Sequence, residues 1–222
     1  MKQFLFIGIL FSFLNGFSQT SNKKKVLVIP YGRFEFTSEF TIEDIAAKND
    51  IEASMVFNAY QKAILNQFEL YKDENFQFSP ITSAAYKPYR KYIKYVDGKF
   101  KGKHHYSVNI KQFPKTEFSK LMEEHDASFV VFLNWYQIKK ESLITKGKKK
   151  KRYRYGAHYV DYEIYNLFQQ KVIGVGKQKM EPKSPTEEEA SYALLRLTDM
   201  DSRYQNFVST LVDILNNPFS ED

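Results

Sequence analysis

The stretch Ala127–Ile138 (ASFVVFLNWYQI) limits what this chain can fold into more than any other. It holds the only Trp and five successive apolar residues, Phe129–Leu133. Such a run reads as a strand covered on both faces, or as a buried segment of helix. The β-forming residues within it, and an acidic amphipathic stretch just upstream, favour the strand. A strand sheathed on both sides requires layers. The expected class is therefore α/β (α+β): a mixed sheet of five to six strands with helices packed on it.

The rest of the chain supplies elements for those layers. Val26–Ile29 reads as a short buried strand stopped by Pro30, and Tyr31–Ile45 as an arm that tucks Phe34, Phe36 and Phe40 against the body. Asn49 and Glu52 have capping-box spacing before a helix over 51–67. Phe76–Ile81 is a second strand. Residues 82–113 form a basic, aromatic insertion with two readings. One is a short helix with Tyr89, Tyr92, Ile93 and Val96 on a face, followed by a strand over 106–110. The other is a hairpin turning at Asp97-Gly98.

A helix over 114–125 carries Phe118, Leu121, Met122 and His125 on one face and leads into the central strand, Ser128–Ile138. A polar tip, 139–154, and a return strand, 155–168, follow. In the return strand Val160, Tyr162 and Ile164 alternate with Asp161, Glu163 and Tyr165. A last strand is expected over 172–175, with Gly174 and Gly176 marking a bulge. Ser184-Pro185-Thr186-Glu187 starts a helix running to about Leu197. A final amphipathic helix places Tyr204, Phe207, Val208, Leu211, Val212 and Leu215 on one face before Pro218.

The first 18 residues have the anatomy of an export signal: Lys2, an apolar Phe4–Leu14, and Gly16-Phe17-Ser18 before Gln19. The apolar run is shorter than the roughly 20 residues needed to span a bilayer. The expected organisation is a signal peptide, 1–18, and one domain, 19–222, with no transmembrane segment in the mature form. Its ending resembles Bacteroidetes-type signals and implies the periplasm or secretion from a Gram-negative cell. The chain has no Cys, which excludes disulfides, thiolate metal sites, cysteine nucleophiles and lipid attachment at an N-terminal Cys. Lys2 is the only charge before Gln19, so its removal lowers the formal net charge of +7 by one. The balance stays basic and favours anionic partners.

Three stretches, Lys23–Tyr31 (KKKVLVIPY), His125–Ile138 (HDASFVVFLNWYQI) and Val160–Lys177 (VDYEIYNLFQQKVIGVGK), resemble the periplasmic domain type of the TolB N-terminal domain and CsgG. The resemblance lies in a first strand ending in a Pro-aromatic pair, a helix entering a strand through an Ala-Asp-like dipeptide, an acidic hairpin and a closing helix. It implies a non-enzymatic envelope domain that binds other proteins. The chain departs from the type in its turn, Gln169-Gln170-Lys171, and in lacking the lipidation Cys of CsgG. Pore formation and Tol-complex membership therefore do not carry over.

The densest charge run is 146–154 (KGKKKKRYR), seven cations in nine residues. Lys148, Lys149, Lys150, Lys151, Arg152 and Arg154 are the candidate binding residues, either gripping an acidic glycan or anionic lipid or simply solvating a hairpin tip. The basic-aromatic run 86–103 could stack bases, but it matches no nucleic-acid motif and an exported chain seldom meets nucleic acid. Asp161 and Glu163, two apart on a strand, stand about 7 Å apart, a spacing open to two-carboxylate hydrolysis or to an ordinary solvent face. His104-His105 point opposite ways, and neither His125 nor His158 has ligand spacing, so no metal is expected. No nucleophile motif, phosphate loop or dinucleotide fingerprint is present, and neither a cofactor nor a catalytic residue is assigned. The leading expectation is an exported, non-enzymatic envelope domain that binds a protein partner or itself. The alternative is a polyanion-binding module using 146–154, and an unrecognised hydrolase is the weakest reading.

Overall fold

The computed structural model describes residues 23–100, 102–145, 150–172, 176–183 and 194–217. The expected signal peptide and the start of the Ser184 helix lie outside them.

Six strands form one mixed sheet. They are β1 (Lys24–Ile29), β2 (Phe36–Ser38), β3 (Phe76–Pro80), β6 (Phe129–Ile144), β7 (Arg152–Asn166) and β8 (Gly176–Met180), in the order β3-β1-β6-β7-β8. β1 lies parallel between β3 and β6, and β2 continues along the same edge of β6 where β1 leaves it. β7 and β8 add antiparallel. A separate two-stranded hairpin, β4 (Tyr95–Phe100) and β5 (Lys103–Val108), completes the strands.

Each face is covered differently. On one face lie α1 (Ile42–Asn49), α2 (Val56–Leu70) and α5 (Asp201–Asn216). The apolar stripe of α5, Tyr204 to Leu215, is buried as its periodicity requires, and Phe207 meets the rings of Phe68 and Tyr162 at 6.0 and 5.3 Å. The sheet presents Val26, Val28, Val131, Leu133, Tyr136 and Ile138 to this core. The opposite face, with Leu27, Ile29, Val130 and Phe132, is covered by α4 (Lys115–Glu124), by α3 (Ser83–Tyr86) with the loop after it, and by the β4–β5 hairpin.

Several expectations are corrected. The capping box at Asn49 does not start a helix. Thr41 caps α1, its Oγ1 accepting from Asp44 N, and the expected arm holds β2 and the first turn of α1. Asn49 instead ties α1 to the chain before α5: Nδ2 donates to Leu195 O (2.6 Å) and Oδ1 accepts from Leu197 N (2.7 Å). In 82–113 the hairpin is real, but its turn passes through Gly102 (φ 77°), not Asp97-Gly98. Gly98 sits mid-strand because a Cβ there would come within 2.7 Å of Ser107 and 3.0 Å of His105. A last strand is described at Gly176–Met180, and 173–175 of the expected range lie outside the described residues. Gly174 of the expected bulge lies outside the described residues, and a register shift that went unforeseen falls between Leu133 and Trp135.

Candidate functional site

Three places bear on function: the basic tip, the carboxylate pair and a cleft at the end of the parallel strands. The first two were legible as candidates; the third was not.

β2 reaches along β6 only to Ile138, and β8 reaches along β7 only to His158. Beyond those residues β6 and β7 pair, among the described residues, only with each other, from Lys139↔Ala157 to Ile144↔Arg152. They form a two-stranded ribbon extending past the sheet. Its one described carboxylate, Glu141, and two beside it, Glu39 and Glu181, are already engaged. Glu39 accepts from Lys140 N (2.8 Å), Glu141 from Tyr159 OH (2.6 Å), and Glu181 pairs with Lys179 at 2.5 Å. Lys150, Lys151, Arg152 and Arg154 are all exposed, and no ion pair among the described residues includes them. Arg152 only donates to Ser142 Oγ, at 3.3 Å. Lys148 and Lys149 lie outside the described residues. Strand alternation puts Arg152 and Arg154 on one side of the ribbon, with Ile144 and Ser142 as their cross-strand partners. Leu143 and Ile144 remain 39% and 57% exposed beside these cations.

Asp161 and Glu163 do not face solvent, and this corrects the reading of their face. They are 2% and 0% exposed because the β4–β5 hairpin lies over this part of β7. Glu163 fastens that cover. Its carboxylate accepts from Ser107 Oγ (2.8 Å), Asn134 Nδ2 (3.0 Å), Tyr165 OH (3.2 Å) and Val108 N, and pairs with Lys171. The bulge at Asn134 aims that amide inward, where it also donates to Tyr106 O (3.0 Å). Asp161 has Lys177 at 3.3 Å. Burial raises its pKa, against the opposing pull of Lys177 and of His105. Glu163 is spent on structural hydrogen bonds, and the hairpin covers both carboxylates.

On the helical face, Tyr136 OH lies 2.7 Å from His158 Nδ1 and 2.6 Å from Tyr204 OH. All three residues are buried, and burial pushes the His158 pKa down to about 3, partly opposed by the Leu194 backbone. This histidine stays neutral at ordinary pH and belongs to the core. Among the described residues no three His, Asp or Glu gather into a metal-holding group, and no helix is long and apolar enough to cross a membrane.

The third place is a cleft of about 520 Å³ at the carboxyl ends of β1 and β3. The chain leaving β1 goes to the helical face and the chain leaving β3 to the opposite one, which opens a crevice between them. Arg33 and Glu35 line it from the loop after β1; Tyr86, Arg90, Lys94 and Tyr95 line it from the segment after β3. The first turns of α2 form its floor, where Gln61 Nε2 holds the loop by donating to Tyr31 O (2.6 Å). Its parts come from positions far apart in the chain and share no motif, so only the topology brings them together.

No family model matches this chain, and no curated protein does. Solved structures do. A homolog of neuraminyllactose-binding hemagglutinin from Helicobacter pylori is similar at 11% identity and a TM-score of 0.39, over 87% of this chain and 83% of that one. The hypothetical protein CT253 from Chlamydia trachomatis is similar at 10% identity and a TM-score of 0.36, over 85% and 95%. The lipoprotein GNA1162 from Neisseria meningitidis is similar at 8% identity and a TM-score of 0.28, over 88% and 99%. Likeness of this degree carries no functional argument.

Proposed function

We propose that this chain is an exported, non-enzymatic envelope domain that binds an anionic surface through the tip of the β6–β7 ribbon. The observation that carries the reading is the set of exposed cations at Lys150, Lys151, Arg152 and Arg154, which join no ion pair among the described residues and stand where the nearby carboxylates Glu39, Glu141 and Glu181 are already engaged. Unneutralised cations on a projecting element raise the local concentration of anions and steer their approach. The exposed Leu143 and Ile144 add apolar contact beside the charges, which suits a lipid headgroup layer or the carboxylated face of a glycan. The signal-like residues 1–18 place such a surface in the envelope. The resemblance to the TolB and CsgG domain type belongs to the same proposal. It is supported by β1 ending at Pro30-Tyr31, by α4 entering β6 through Asp126-Ala127, and by the closing helix α5.

Retention on heparin, and co-sedimentation with vesicles containing phosphatidylglycerol but not with phosphatidylcholine alone, test the reading and separate the two sources of anion. Binding is expected to fall steeply with salt. It should be lost when Lys150, Lys151, Arg152 and Arg154 are all changed to Gln. Unchanged retention by that variant, with its melting temperature preserved, overturns the proposal.

A further inference from the structure

We propose that the cleft at the carboxyl ends of β1 and β3 is a second binding site, independent of the ribbon, for a small hydroxylated anion such as a sugar phosphate or a sugar acid. Its position is the first argument. Crevices beyond the carboxyl ends of parallel strands, where the connections part to opposite faces, are where open α/β sheets hold small ligands. Its size is the second: about 520 Å³ falls within the range of small-molecule sites.

The charges select the ligand. Arg33, Arg90 and Lys94 line the cleft, and none of them joins an ion pair among the described residues, although Glu35 lines the same space. Three cations gathered around a concavity call for an anionic group, and a guanidinium pair can hold a carboxylate or phosphate by paired hydrogen bonds. Glu35 adds a second requirement. Its Oε2 is buried with no hydrogen-bond partner. Gly32 makes room for it, since a Cβ at that position would clash with the carboxylate. A buried acceptor left unpaired is costly, and a ligand hydroxyl would supply the missing donor. Half-buried Tyr86 and Tyr95 give the walls an aromatic surface suited to the apolar face of a sugar ring. Together these features describe a ligand with an anionic head, at least one hydroxyl and a flat apolar side.

Isothermal titration of the folded protein with glucose 6-phosphate, galacturonate, inorganic phosphate and glucose tests this. Glucose 6-phosphate or galacturonate should bind and raise the melting temperature, and neutral glucose should bind at least roughly tenfold more weakly, the worth of one charge-assisted contact. Changing both Arg33→Gln and Arg90→Gln should weaken the anions by tenfold or more. Both arginines are exposed, so the fold should survive, and Lys94→Gln serves if the double variant is unstable. Glu35→Gln should weaken the hydroxylated anions more than inorganic phosphate. The ribbon variant with Gln at 150, 151, 152 and 154 should keep this binding, which separates failure of the cleft from failure of the tip. No binding of either hydroxylated anion at millimolar concentration, or affinities unmoved by loss of the cleft cations, overturns the proposal.

Discussion

The two faces of the sheet solve burial by different means. The helical face is closed by hydrocarbon and aromatic rings on regular elements: the stripe of α5, the α2 residues Tyr60, Ile64 and Phe68, and the alternating residues of β1 and β6. The hairpin face is closed in part by charge. There β4 and β5 lie over β6 and β7, and Glu163 holds them by gathering donors from β5, β6 and β7 together with Lys171. A hydrophobic face tolerates small shifts of its cover. A buried carboxylate does not, because any donor that leaves exposes its desolvation cost. The helical face holds the larger set of buried apolar residues and should supply more of the stability, while the hairpin face fixes one particular arrangement.

Removing the largest contact from each face separates these roles. Phe207→Ala deletes a fully buried ring between α5 and the sheet and should cost about 4 kcal/mol, with the whole domain melting earlier in urea. Glu163→Ala should cost about 3 kcal/mol by leaving buried donors unpaired. Its signature should also be local: the amides of β4 and β5 should lose hydrogen-exchange protection well before those of β1 and β6. If Glu163→Ala loosens both faces equally, the hairpin is part of a single cooperative core and the contrast fails.

The same contrast explains what could be read from residues alone. The apolar run in β6, the period of α5 and the short strands β1 and β3 are local signals, and each lies close to where its pattern placed it. The hairpin face depends on long-range partners. Asp161 and Glu163 alternate with apolar residues as a solvent face would, because nothing nearby in sequence announces that residues 95–108 cover them. Asp97-Gly98 has the chemistry of a turn, yet the glycine serves close packing against His105. Asn49 has the chemistry of a cap, yet its partners lie almost 150 residues away. Polar residues with several possible uses are settled by tertiary contact. The cleft escaped for the same reason. The basic tip was legible because charge density needs no partner to be seen.

A pH titration sharpens the comparison from the helical side. His158 is buried and neutral with a pKa of about 3, whereas an unfolded histidine titrates near 6.5. Between those values the unfolded chain binds a proton that the folded one refuses, so stability rises with pH through this window and is complete above it. At pH 5 the loss relative to pH 7 should be about 2 kcal/mol. The urea midpoint should fall accordingly between pH 7 and pH 5, and His158→Gln should flatten that part of the profile. An unflattened profile would place the acid sensitivity elsewhere than in the Tyr136–His158–Tyr204 cluster.

The smallest expected effect comes from the hairpin side, and its sign carries the information. Asp161 is buried like Glu163 but has far fewer partners, chiefly Lys177 at 3.3 Å. Burial raises its pKa. A carboxyl whose folded pKa lies above its unfolded value binds its proton more tightly in the fold, so its contribution is lost as pH rises through that interval. At neutral pH its charge is therefore a burden on the fold. Asp161→Asn keeps the shape, removes the charge and leaves Lys177 access to water, so at pH 7 it should be neutral or stabilising by less than about 1 kcal/mol. Substitution of its neighbour two residues along should do the reverse. If Asp161→Asn instead costs as much as Glu163→Ala, the Lys177 pair is a second fastening of the β7–β8 edge. The hairpin face would then be held by charge along its whole length, not by the single carboxylate beneath β5.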